Sequence, residues 1–448
     1  MRRSSTRPQQ AETAAASRPP RRNRIAAAAA GLLPATAALL VGIAVAPLLT
    51  APPAQAAVPG GYGERRLDEI TLLDSHNGFS NQKDGITFAP VTNQSVSLRD
   101  QLQKFNVRGT ELDIYQEIDE IKLCHGTCGF GSRPLERALN DIVTLLNQER
   151  DEIFVVRFED YVKDKQLLAN VLRSVPGLSD LTFRPDSDQW KVQERGWPKV
   201  KDMVKANKRL IMFSDKNERS DIGLPFIGDY VVQNHYKGLE CKDRGGISQP
   251  MNTPLRGRFQ PLLLINQFHD GDDETNVYEN IRDRMGNCTH AAGGRVPNII
   301  SFDHVQSQGE GPRKFVQSLN NAPSWSVNDG GLCLDVAQGG TANGTKVQMW
   351  NCNWSTPQAW RRMPHGDGFE LRALGKCLDV SAADGLGVRL WDCNGSPQQR
   401  WTHRNGTLVN HATNKCLVPH QRRYAEGQPV VVWACDNGGN QRWDWRLR

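Results

Sequence analysis

Between residues 64 and 305 the chain alternates short aliphatic and β-branched runs with longer stretches whose apolar positions fall at helical spacing. The runs are 69–73, 107–114, 153–158, 209–213, 230–232, 262–265 and 298–302. The clearest helical stretch is 135–148, where Leu135, Ala138, Leu139, Ile142, Leu145 and Leu146 share one face. Short apolar runs alternating with amphipathic helices predict a parallel α/β architecture. Over a length of about 240 residues, the pattern predicts a TIM-like (β/α)8 barrel, assigned here to residues 57–305.

The pattern changes after residue 305. Segment 306–324 contains Gly309, Gly311, Pro312 and Pro323 and lacks an apolar run, so it reads as a linker. Over 325–448 three similar units follow. Cys333-Leu334-Asp335, Cys377-Leu378-Asp379 and Cys416-Leu417-Val418 each precede a Trp-x-Cys, at Trp350/Cys352, Trp391/Cys393 and Trp433/Cys435. A Gln-x-Trp then follows at Gln358/Trp360, Gln399/Trp401 and Gln441/Trp443. A unit of this size is too small to bury its own tryptophans, so the three must pool their apolar faces. Short strands with Gly, Asn and Asp turns predict an all-β domain.

Taken in register, these motifs resemble the ricin-type lectin domain. The resemblance implies a β-trefoil with one disulfide per repeat: Cys333 with Cys352, Cys377 with Cys393, and Cys416 with Cys435. A sugar ring presents an apolar face and a rim of hydroxyls, so a site needs a flat aromatic and a carboxylate acceptor. By resemblance, Asp335, Trp350 and Gln358 form one carbohydrate site, and Asp379, Trp391 and Gln399 a second. Val418 stands where the third acid belongs, so that site is expected to be weak or dead. Trp360, Trp401 and Trp443 are assigned to the core.

The net charge of +6 suggests a basic protein, but residues 1–56 hold seven arginines and one acid, Glu12. Taking these from 55 basic and 49 acidic residues leaves 48 of each. That balance argues against a nucleic-acid binder and against strong attraction to anionic membranes. The same segment has an Arg-rich start, an Ala/Leu/Val stretch from Ile25 to Leu49, and small residues at Ala54-Gln55-Ala56. It reads as a cleaved export signal, so the protein is expected to be secreted and extracellular. All ten cysteines lie beyond it, and an even number in an exported chain predicts disulfides. Cys124, Cys128, Cys241 and Cys288 allow three pairings, of which Cys124 with Cys128 and Cys241 with Cys288 is the sequence-local choice. A zinc site at Cys124, His125 and Cys128 lacks a second Cys/His pair. A monomer is expected.

Four motifs in the first region carry chemistry. Ser75-His76-Asn77 follows the first run, and Glu111-Leu112-Asp113 places two carboxylates on one face of the second. His125 follows the short run 121–123, and Glu159 follows 153–158. All these positions fall at C-terminal ends of candidate strands, where such barrels carry their active sites. An amide oxygen and three carboxylates suit a hard cation, and two histidines suit general acid and base duties near neutral pH.

With Arg108-Gly109 preceding Glu111, the order resembles the catalytic X-type barrel of phosphatidylinositol-specific phospholipase C. The resemblance implies His76 and His125 as the catalytic pair, His76 or Glu111 as the base, and Asn77, Glu111, Asp113 and Glu159 as calcium ligands. Secreted bacterial members often replace the metal with an arginine two residues after the strand-two aspartate; here that residue is Tyr115, so the calcium-dependent pattern is expected. The reaction implied is attack of the inositol 2-hydroxyl on its own phosphodiester, giving diacylglycerol and inositol 1,2-cyclic phosphate. Ser214-Asp215 stand in the stretch where the animal enzymes place lysines. Plain phosphatidylinositol, or a glycosylated inositol lipid at a membrane surface, is therefore the expected substrate. Asp303 is a minor candidate for orienting a histidine. Two other readings compete: a glycerophosphodiester phosphodiesterase, whose His-Arg-Gly differs from His76-Asn77-Gly78, and a carbohydrate-binding protein with an inactive barrel. The second domain is expected to tether the first to glycan-rich surfaces.

Overall fold

The computed structural model describes residues 62–446, apart from 89, 91, 237–240, 247, 254–257, 269–275, 293–294, 307, 322–323, 328–330 and 354. The export signal expected at 1–56 lies outside the described residues. Among the described residues no helix is long and apolar enough to cross a membrane.

All seven apolar runs form strands. In chain order the first sheet contains β1 (Leu72–Ser75), β2 (Gly109–Glu117), β3 (Glu120–Leu123), β4 (Arg133–Pro134), β5 (Phe154–Tyr161), β6 (Thr182–Phe183), β7 (Leu210–Ser214), β8 (Val231–Gln233), β9 (Leu262–Asn266) and β10 (Ile299–Phe302). The main path runs β6-β7-β5-β2-β1-β10-β9-β8, and all of its pairings are parallel. The predicted parallel α/β architecture is present as a curled half-barrel sheet, and among the described residues its two edges do not pair to close a full barrel. The two-residue β6 takes the outer edge of β7 at Leu210 and Ile211. The chain between β7 and β8 is spent in the 3-10 turns Asn217–Ile222 and Ile227–Asp229, so no ladder joins those strands among the described residues. The helix Leu135–Gln148 buries all six residues its spacing selected.

The segment expected as a linker also differs. Residues Gly311–Asn321 form a helix, and Phe315, Val316 and Leu319 join the core of the first region. Spaced at one and three residues, they make an apolar stripe too sparse to stand out as a run.

From Ser324 to Arg446 twelve antiparallel strands form the second sheet among the described residues. Trp360, Trp401 and Trp443 are fully buried at its centre. Their indole N–H groups donate to the carbonyls of Leu334, Leu378 and Leu417 at 2.9, 3.0 and 2.9 Å. All five disulfides pair as expected: 124–128, 241–288, 333–352, 377–393 and 416–435. The Cys124–Cys128 bond leaves no thiolate for zinc.

The two regions meet through a buried polar contact at the N-terminal end of β1. Arg372 reaches Asp68 at 3.3 Å and Glu370 at 2.8 Å, with all three side chains at most 1% exposed. Gly375 N–H donates to Glu69 Oε2 at 3.0 Å. Arg361 donates to Thr71 Oγ1 at 2.9 Å, and burial, with Arg65 beside it, pushes its guanidinium down to about 9. Removing one partner of such a cluster strands a buried charge. Arg372→Ala is expected to lower unfolding stability by about 3–5 kcal/mol, measured by denaturant titration.

Candidate functional site

Strand register assembles the site. Ser75 pairs with Thr110 and Phe302, Glu111 with Arg157, Asp113 with Glu159, and Phe158 with Ser214. Continuing each ladder by one residue, His76, Asp303, Glu111 and Arg157 share one level. Asp113, Glu159 and Asp215 share the level above, toward the strand C-termini. Asn77 turns the chain away from β1 with φ of 43°, a left-handed conformation that asparagine tolerates. Gly78 follows because a Cβ there would lie 2.4 Å from Thr110 Oγ1.

His76 is half-buried and its ring is stacked on Phe268, with centroids 3.6 Å apart. Its Nδ1 donates to Asp303 Oδ1 at 2.7 Å, leaving Nε2 4.0 Å from Glu111 and 3.4 Å from Asn77 Nδ2. Burial works against the imidazolium, but Asp303 and then Glu111 outweigh it, so the His76 pKa is raised. His125 sits on the turn closed by Cys124–Cys128, where Thr127 N–H donates to His125 O at 2.8 Å. Its Nδ1 lies 3.4 Å from Ser80 Oγ, and Cys124 N–H donates to Asp113 O at 3.3 Å, so this turn is stitched to β2.

The acids differ in how they are compensated. Burial would raise the Glu111 pKa, but Arg157, 3.3 Å away, and His76 hold it below the ordinary carboxylate range. Asp113 is 4% exposed; burial, then Glu159 and Glu111, push its pKa well up. The Tyr161 hydroxyl donates to Glu159, and Tyr161 stacks on Tyr115. Burial pushes Asp215 up to about 6, with Glu159 and Asp160 adding to it. Two oxygens in this group, Asn77 Oδ1 and Asp113 Oδ1, are buried without a hydrogen-bond partner.

Those orphaned oxygens and the surplus of carboxylate fit a divalent hard cation better than they fit an empty core. The carboxylate oxygens of Glu111, Asp113 and Glu159 do not all come within 4.8 Å of one another. The acid–cysteine group that does reach that spacing, Glu370 with Cys377 and Cys393, has both sulfurs in a disulfide. Sequence reading missed Arg157, which binds Asp74 at 2.5 Å as well as Glu111, and also missed Phe268 and Asn93. Arg157 was legible in part, since it shares a strand face with Glu159.

In the second region each motif acid lies beside its glutamine. Asp335 Oδ2 accepts from Gln358 Nε2 at 3.3 Å, and Asp379 Oδ2 accepts from Gln399 Nε2 at 3.1 Å. Trp350 is 37% exposed beside the first; Trp391, beside the second, is covered by Arg389, whose guanidinium carbon lies 3.8 Å from the ring centroid.

Residues 62–239 match the family model described as PI-PLC X 1, and residues 326–443 match the Ricin-type beta-trefoil lectin domain. The chain is thus similar to a PI-PLC X domain over its first matched stretch and to a ricin-type lectin domain over its second. A PI-PLC X domain-containing protein of Arabidopsis thaliana is 26% identical over 297 residues, covering 63% of this chain and 69% of that protein. PI-PLC X domain-containing protein 1 of Arthroderma benhamiae is 28% identical over 274 residues, covering 54% and 83%. Among solved structures, the designed threefold-symmetric protein ThreeFoil is 27% identical and covers 28% of this chain and 97% of that one, with a TM-score of 0.27. The PI-PLC X match ends at residue 239, so β9, β10 and Asp303 lie beyond it.

Proposed function

We propose that this protein is a secreted, calcium-dependent phosphatidylinositol-specific phospholipase C whose lectin domain binds carbohydrate. The observation that carries the reading is His76, backed by Asp303 and beside Glu111, with two buried oxygens of the neighbouring acid and amide left unpartnered. Asn77, Glu111, Asp113 and Glu159 would hold the calcium ion. When bound, calcium supplies positive charge against the charge that builds on the phosphate.

The residues of the chain do the rest. His76, held by Asp303 with Nε2 turned away, accepts the proton of the inositol 2-hydroxyl as that oxygen attacks phosphorus. Glu111 is the poorer base because Arg157 keeps its proton affinity low. His125 gives its proton to the departing glycerol oxygen, leaving diacylglycerol and inositol 1,2-cyclic phosphate. Asp215, Tyr115 and Tyr161 at the mouth disfavour extra ring phosphates, so plain or glycosylated phosphatidylinositol is the proposed substrate. Exposed apolar side chains gather on loops at strand C-termini: Phe88 stacks on Phe130, and Ile118 tips the β2–β3 hairpin. This supports action at a lipid surface.

The test is release of inositol cyclic phosphate from phosphatidylinositol micelles with calcium and with chelator. Calcium-dependent release supports the reading, whereas hydrolysis of soluble glycerophosphoinositol alone would shift it to a glycerophosphodiester phosphodiesterase. Asp303 gives a pH-dependent prediction. Because its carboxylate raises the His76 pKa and a base works when neutral, removing that carboxylate lets burial pull the pKa down. Asp303→Asn is expected to move the acid limb of kcat/KM to lower pH and to reduce the plateau about a hundredfold through lost orientation.

A further inference from the structure

The three lectin repeats differ at one register position. The residue paired across the hairpin from the third residue of each motif is Gln348 opposite Asp335, Arg389 opposite Asp379, and Val431 opposite Val418. In the first repeat the Gln348 amide donates to Asp335 Oδ1 at 3.0 Å and leaves the Trp350 ring open. In the second, Arg389 Nε donates to Asp379 Oδ1 at 2.9 Å while its guanidinium lies over Trp391. The carboxylate and the ring face that would take a neutral sugar are therefore both engaged by the protein's own cation.

That cation is held in place yet keeps unused donors. Asp379 is 4% exposed, with its second oxygen already bonded to Gln399, so it fixes the inner edge of the guanidinium. Of the five N–H groups in the guanidinium plane, only the one on Nε is used; the two Nη nitrogens have no partner among the described residues, and the side chain is 27% exposed. Lys346 stands directly across the strand pair from Arg389, on the same sheet face, and donates to Gly427 O at 3.1 Å. The acids nearby are already engaged: Asp384 accepts from the N–H groups of Leu386 and Gly387, and Asp392 pairs with Lys376.

We propose that the second repeat is a receptor for acidic saccharides, in which the outer edge of Arg389 takes a uronate carboxylate in a two-pronged hydrogen bond. The first repeat, with Gln348 at that position, takes neutral sugar. The proposal rests on the carbohydrate-binding reading of the domain and adds the charge class of the ligand. A planar guanidinium anchored at one edge loses little freedom when the opposite edge is occupied, which favours a planar carboxylate partner.

The experiment is calorimetric titration of the full chain with oligogalacturonate and with the same oligomer fully methyl-esterified, alongside galactose. Wild type is expected to bind the free acid about tenfold more tightly than the ester. Arg389→Gln, which installs the residue of the first repeat, should abolish that preference, while Trp350→Ala should preserve it. Equal affinity for acid and ester, or a preference unchanged in Arg389→Gln, overturns the proposal. Binding of galactose that is lost in Trp350→Ala, with no acid preference, would leave the carbohydrate reading standing and sink only this inference. Failure to bind any of the three overturns both.

Discussion

Alanine at position 125 is expected to slow release of inositol cyclic phosphate by about 10²–10⁴-fold while leaving the protein folded. His125 sits on a turn fixed by the Cys124–Cys128 bond and by the hydrogen bond from Cys124 to Asp113. Its side chain is not part of the hydrophobic core, so its loss should barely move the melting temperature. The diagnostic lies in the leaving group. A phosphodiester with an acidic aryl alcohol departs without protonation, so His125→Ala should lose far less on that substrate than on the lipid. His76→Ala should lose equally on both, because the attacking hydroxyl must shed its proton in either case. An equal loss in both variants on both substrates would sink the assignment of acid and base.

Asp113→Asn is expected to make the calcium-free protein more stable and less active. The Asp113 carboxylate is buried, has an unpartnered oxygen, and faces Glu159 and Glu111, so its charged form is costly. The sign follows from linkage. A carboxyl whose folded pKa is raised binds more protons folded than unfolded, so wild-type stability falls as pH rises from the ordinary carboxylate range through the raised value. The amide lacks that slope and should be more stable at neutral pH by on the order of 1 kcal/mol. Calcium should raise the wild-type melting temperature and barely affect the variant, whose lipid cleavage should fall about a hundredfold or more. A variant less stable than wild type in chelator would argue that Asp113 has a purely structural role.

Much of this was legible from spacing. Runs of three to eight residues marked each strand of the main path except β6, because strands buried on both faces favour continuous aliphatic sequence. Glu111, Asp113, His76 and Glu159 were legible because period-two alternation and strand ends carry positional meaning. The pairing at the outer edge of β7 was not legible, since Thr182–Phe183, which takes that edge, has no pattern of its own. The helix at Gly311–Asn321 was hidden behind Gly311 and Pro312, which read as breakers although proline is well tolerated in a first helical turn. In the second region the repeated motifs carried the ricin-type resemblance, which implied the tryptophan core and the three disulfides, but the role of Arg389 depended on a cross-strand partner that no motif names.

The contact of Arg372 with Asp68 and Glu370 has a thermodynamic consequence. Two folds that share a buried charge cluster cannot separate without uncovering it, so they should melt in one transition instead of two. Truncation after residue 324 is then no neutral test of tethering, because it bares Asp68, Glu69 and Thr71. Conversely, any saccharide that binds only the folded lectin stabilises the whole cooperative unit, by about 2.7 kcal/mol at a hundred times its Kd. A saccharide that binds the repeats would then act as a folding ligand for the half-barrel as well.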